Sequence, residues 1–188
     1  MARPDKLMPW IDAVNRFWFV ELDPEDWFSA EPEVDEKIRS RFGELRAALK
    51  QEPPSAAALD AQGDVAAVIV FDQFSRNLFR RSPEAYATDD LALALALHAI
   101  ENGLDASLTL HQRQFLYMPF MHSEDRAMQA RSVNLFGRLG MADQMGYAAH
   151  HKAIVDRFGR FPHRNEVLGR SSNAAEREFI RSESKSGA

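Results

Sequence analysis

The sequence has no cysteine. That excludes disulfides, thiolate metal sites, iron–sulfur clusters and cysteine nucleophiles, and it fits a reducing compartment. Long apolar runs are missing too. The most apolar stretch, "VAAVIVF", is far shorter than a membrane span and ends at Asp72. The opening "MARPDKLMPWIDAVNRFWF" lacks the apolar centre of a secretion signal. We therefore expect a soluble, cytoplasmic protein with no membrane partner. No block rich in Lys and Arg is present, which argues against a nucleic-acid partner. Neither a glycine-rich phosphate loop nor a His-Glu-x-x-His pattern occurs, and no cofactor or metal is expected.

What is present suits one domain. A chain of 188 residues buries a sizeable core without staples. We expect a single domain over 1–188, with 182–188 as a frayed tail. The net charge of −5 is uneven. Residues 1–100 carry 11 Lys and Arg against 18 Asp and Glu, or −7; residues 101–188 carry 12 against 10, or +2. The positive excess around 150–170 suits a small anion.

The apolar spacing is helical nearly throughout. Trp10, Val14, Phe17 and Trp18 mark one stripe; Val34, Ile38, Phe42, Leu45 and Leu49 mark another. "DPEDWF" predicts a turn and a short helical segment. The run "VAAVIVF" is apolar on almost every side, as in a central helix. Its β-branched residues also suit a strand, but the continuation "DQFSRNLF" favours helix. "LALALALHAIEN" alternates by two, yet its length and helix propensity outweigh that. Asp64, Asp89 or Asp90, Ser123 and Asp143 are candidate caps, and Ser82-Pro83-Glu84 a further helix start. Thr109 to Tyr117 predicts a short helix before Pro119, and Asn173 with Glu176 a capping box. Gly159 and Pro162 end the helix containing His151. The expected fold is all-α, with about eight helices.

Three polar clusters exceed what helix ends require. In "FDQFSRN", Asp72 and Arg76 lie four apart on one face, as do Gln73 and Asn77. In "YMPFMHSEDRAMQ", His122 precedes Glu124 and Asp125; capping explains the acids but not the histidine. In "HHKAIVDRFGRFPHRN", His151, Val155 and Phe158 share a face, while Arg160, His163, Arg164 and Asn165 crowd a Gly-Phe-Pro turn. Arginine holds carboxylates or phosphates in a two-point fork, and histidine carries protons near neutral pH.

Together "DQFSRN", "FLYMPFMHSED" and "RFGRFPHRNEVLGR" resemble the signatures of a bacterial family known only as a domain of unknown function. That family is placed among all-helical folds similar to tetratricopeptide repeats (TPR). The resemblance runs from "FWF" near residue 17 to the last helix near residue 180. Members often carry Pro in place of Ser75, and Thr-Pro-Glu-Glu in place of Asn173-Ala174-Ala175-Glu176. The resemblance implies a TPR-like superhelix of antiparallel helix pairs. It also selects Asp72, Gln73, Arg76, Asn77, His122, Glu124, His151, Arg160, His163, Arg164 and Asn165, and prefers His151 to His150.

The leading functional expectation is a cleft binding a small anionic ligand. Asp72, Gln73, Arg76, Asn77, Glu124, Arg160, Arg164 and Asn165 would hold it, and His122, His151 or His163 would carry a proton. Two alternatives are a helical scaffold that grips a peptide carboxylate and a buried network that only ties helices together. A divalent metal on His122, Glu124 and His151 is the weakest reading.

Overall fold

Proline in a first turn and glycine past a last turn delimit several of the helices that form. The computed structural model describes residues 8–29 and 31–186. Every regular element among them is helical, as the spacing predicts. The chain divides into two compact units. The first comprises Met1–Arg80 with Glu84–Pro119, and the second Arg81–Pro83 with Phe120–Ala188. Of the stretch 182–188 expected as a frayed tail, 182–186 belongs to the last helix; 187 and 188 lie outside the described residues. No helix among the described residues is long and apolar enough to cross a membrane.

In the first unit, α1 (Pro9–Arg16) runs on into a π-helical turn, Phe17–Glu21, burying Val14, Phe17 and Trp18. "DPEDWF" forms a short 3-10 turn, Asp26–Phe28. There the Trp27 indole donates to the Trp18 carbonyl at 2.7 Å. α2 (Pro32–Gln51) buries Val34, Ile38 and Phe42 as expected. Further along, Leu45 and Leu49 are only half-buried, and Arg46 takes the inward position.

α3 (Ala61–Val68), a π-helical stretch Ile69–Phe74 and α4 (Ser75–Leu78) form one continuous rod. Val65 through Phe71 have no exposed surface, so the apolar run is a central helix and not a strand. α1 packs closely on α3 because Gly63 has no side chain: a Cβ there would meet Leu59 at 3.0 Å and Ile11 at 3.3 Å. α5 (Asp89–Glu101) buries Ala92, Leu95, Ala96 and Ala99, a helical spacing that overrides the alternation of its leucines. Counting the α3–α4 rod once gives eight helices among the described residues.

The second unit holds α7 (Arg126–Leu139), α8 (Ala142–Phe158), a 3-10 turn Pro162–Arg164 and α9 (Ala174–Ser186). α6 (Leu110–His122) contains the division between units, after Pro119. The helix expected to stop before that proline continues through it. Losing one backbone bond there costs about 3 kcal/mol, which burial of Phe115, Leu116, Phe120 and Met121 offsets. α7 and α8 pack together.

Four expected caps are displaced. Asp60, not Asp64, caps α3 by accepting from the Gly63 amide at 2.9 Å. Asp125, not Ser123, caps α7 through the amides of Ala127 and Met128. Thr88 and Met141 occupy the cap positions of α5 and α8, leaving Asp89, Asp90 and Asp143 inside their first turns. Ser82-Pro83-Glu84 begins only a 3-10 turn, Pro83–Tyr86.

Gly159 ends α8 as expected, with φ 70°. Nothing lies within 4 Å of a Cβ built there. Gly159→Ala therefore tests backbone strain alone. We expect a loss of roughly 1–2 kcal/mol, read by urea unfolding, with helical content unchanged.

Candidate functional site

The first cluster lies in the π-helical stretch of the first unit. Widening a helix to a π-turn loosens its regular bonding and leaves carbonyls to other donors. Thr88 Oγ1 donates to the Phe71 carbonyl at 2.6 Å, and Arg76 to that of Asp72 at 2.8 Å. Asp72 has no exposed surface. Its carboxylate pairs with Arg76 at 3.0 Å and accepts from the Gln73 amide. Arg76 also forks onto Asp89 at 3.0 and 3.1 Å. Both carboxylates raise the Arg76 pKa against the opposing effect of burial. Asn77 donates to Asp35 at 2.7 Å, and Asp35 also holds Arg80. Nearby, buried Arg46 bonds Ser75 and Glu84.

The other two clusters come together in the second unit around Phe161, which is fully buried. His151 lies with its ring 5.4 Å from Phe161 and 6.4 Å from His122. The His163 ring is 5.5 Å from Phe161, and the Arg164 guanidinium sits 4.5 Å over the same ring. Glu124 accepts from the Phe161 amide at 2.8 Å and takes a two-point fork from Arg170, at 2.7 and 2.9 Å.

His151 is oriented by its own helix. Its Nδ1 lies 2.8 Å from the Tyr147 carbonyl. A carbonyl only accepts, so Nδ1 carries the proton and Nε2 keeps its lone pair. Burial, then the charges of His150, His163 and Arg164, outweigh that bond and lower the His151 pKa. His163 is exposed as a residue. Desolvation of its ring and then the Arg164 charge, against an upward pull from Glu124, nevertheless push its pKa down to about 4. Both rings are thus neutral at pH 7, in a positive potential to which Arg164 contributes.

Arg160 and Asn165 fix the turn that carries these groups. The expected capping box forms: Asn173 accepts from the Glu176 amide at 2.9 Å, and Glu176 from the Asn173 amide at 2.8 Å. Arg160 forks onto the same Glu176 at 2.7 and 3.0 Å and donates to the Ser171 carbonyl. Asn165, fully buried, donates to Ser172 at 3.0 Å. Arg160, then the Asn173 amide, draws the Glu176 pKa down to about 2. Burial pushes Glu124 up, but Arg170 and the Phe161 amide overcome it and hold it low. Both carboxylates are depressed, so their stabilisation is present above the ordinary pKa of 4.5 and is lost as pH falls below it, for Glu176 through about 2. We expect the melting temperature to fall steeply between pH 4.5 and 2, and Glu176→Gln to flatten that fall.

No group of three or more His, Asp or Glu side chains among the described residues is placed to hold a metal ion. Sequence reasoning missed Arg170 and, as partner of Arg76, Asp89. Arg170 lies within "RFGRFPHRNEVLGR", and its forked pairing spans 46 positions.

Comparison with known proteins agrees with this fold. The model of a family described as "Bacterial protein of unknown function (DUF924)" matches residues 14–184. The chain belongs to this family. It is also similar to a solved structure of a protein of unknown function from Agrobacterium tumefaciens, at 36% identity and a TM-score of 0.83, covering 90% of this chain and 96% of that one. No match was found among curated proteins. Family membership thus accounts for the shared motifs and the all-helical architecture, and leaves chemistry to be argued from the side chains.

Proposed function

We propose that the second unit binds a small anion at the ring of His122, His151, His163 and Arg164 around Phe161, with His151 as proton acceptor. One arrangement carries this reading: the Arg164 guanidinium lies 4.5 Å over the Phe161 ring that the His151 and His163 rings also contact, and its charge adds to burial in lowering both histidine pKa values. A potential that repels protons attracts anions. The nearby carboxylate Glu124 takes the Arg170 fork and also feels the Arg164 charge. The Tyr147 bond fixes the tautomer that a general base needs. In this reading Glu124, Arg160 and Asn165 position the turn and do not touch the ligand.

Asp72, Gln73, Arg76 and Asn77 support a different role. Asp72 is wholly enclosed and shares Arg76 with Asp89. We assign that group to a network that ties the central rod to α5. The test of the anion site is calorimetric titration with inorganic phosphate and, separately, acetate at pH 7. Saturable heat with either supports the site; no heat with millimolar concentrations of both contradicts it.

A further inference from the structure

Asp64 is buried differently from Asp72. It sits in the first turn of α3 with no exposed surface, and neither carboxylate oxygen has a hydrogen-bond partner. His98, on the packed helix α5, brings Nδ1 to 3.4 Å from Oδ2. That nitrogen also lacks a hydrogen-bond partner, while the ring as a whole stays about a quarter exposed, at 26%. Asp72, equally enclosed, has Arg76 and Gln73. An ionised carboxylate without such partners is costly to bury and neutralises by taking up a proton.

We propose that Asp64 and His98 form a proton-binding site between α3 and α5, in which one proton is shared by carboxylate and imidazole. With the proton present, the two groups are either a neutral acid beside a neutral ring or a carboxylate beside an imidazolium. Its loss leaves a negative charge enclosed against an uncharged ring. The partly exposed ring gives the proton a route to water.

The surrounding charges agree. Burial raises the Asp64 pKa to about 6; His98 opposes the rise and Asp60, one turn earlier, adds to it. α1 carries Asp12 and Arg16, both exposed, and Arg16 faces Glu21. The other acids of α5 are Asp89, which holds Arg76, with Asp90 and Glu101. Asp105, in the 3-10 turn Leu104–Ser107, accepts from Tyr117. Asp72, further along the rod, is paired with Arg76. The folded-state pKa lies above the unfolded value of 3.8, so the folded chain keeps a proton that the unfolded chain has released. Stabilisation from this site is fully present below pH 3.8 and is lost as pH rises through about 6.

Asp64→Asn supplies a neutral isostere of the protonated acid. We expect the variant to melt above the wild type at pH 8, with the difference shrinking or reversing at pH 5. In nuclear magnetic resonance titrations, the Asp64 carboxyl carbon of the wild type should show its step near pH 6. Equal destabilisation of Asp64→Asn at both pH values would overturn the proposal. So would an Asp64 carboxyl step at the ordinary value of 3.8, or failure of the variant to fold, because a neutral side chain is what the site is argued to hold.

Discussion

Replacing Arg76 with Ala is expected to destabilise the protein by about 3–5 kcal/mol, the range for removing one partner of a buried ion pair. Arg76 serves two carboxylates at once. Asp72 is fully enclosed, and Asp89 has a side-chain exposure of 19%. Without the guanidinium, Asp72 retains the Gln73 amide as a partner but loses its compensating charge. At roughly 2–4 °C per kcal/mol for a chain of this size, the melting temperature should fall by about 6–20 °C. Asp89→Asn should cost less, because water reaches that side chain. Thermal and urea unfolding monitored by circular dichroism reads both. An Arg76→Ala variant within 1 °C of the wild type, to take roughly the scale of a surface substitution, would remove the network from the account of stability.

The second large effect concerns binding. Arg164→Met keeps most of the apolar stem and removes the guanidinium that lies over Phe161. A hydrogen bond to a charged group contributes about 1.5–3 kcal/mol, which is roughly a 10- to 100-fold weakening of phosphate affinity. The same variant should let the His151 and His163 pKa values rise, because the Arg164 charge lowers both. The two readouts separate roles. A scaffold residue that only packs on Phe161 would lower the melting temperature and leave the histidines where they are. Loss of affinity without any movement of the histidines would place the ligand elsewhere.

Much of the helical architecture was legible because burial imposes a period. Val34, Ile38 and Phe42 recur at helical spacing and are buried. The run Val65–Phe71 is apolar all round because it is enclosed on every side. The π-widening of Ile69–Phe74 was not legible, since α and π backbones share the same local propensities and differ in which carbonyl each amide reaches. Caps were misplaced where acidic and hydroxyl residues stand in tandem. Asp60 and Asp64 are one turn apart, and the choice between them depends on what packs over the helix end. The inward placement of His151 followed from its helical face, and its preference over His150 from the family motif. Its partners did not follow: Tyr147 acts through a carbonyl, which no side-chain pattern encodes. Arg170 and Glu124 pair across 46 positions, and Arg76 and Asp89 across 13.

The central claim is that a positive ring around Phe161 binds anions through neutral histidines. It is tested most directly by following the His151 and His163 ring signals by nuclear magnetic resonance from pH 3 to pH 8, with and without inorganic phosphate. The account predicts a His163 midpoint near 4 without phosphate. It predicts that phosphate raises the midpoints of both His163 and His151, because a bound anion stabilises the imidazolium form. Midpoints unmoved by saturating phosphate, or a His163 midpoint already at the ordinary value of 6.5 in its absence, would contradict it.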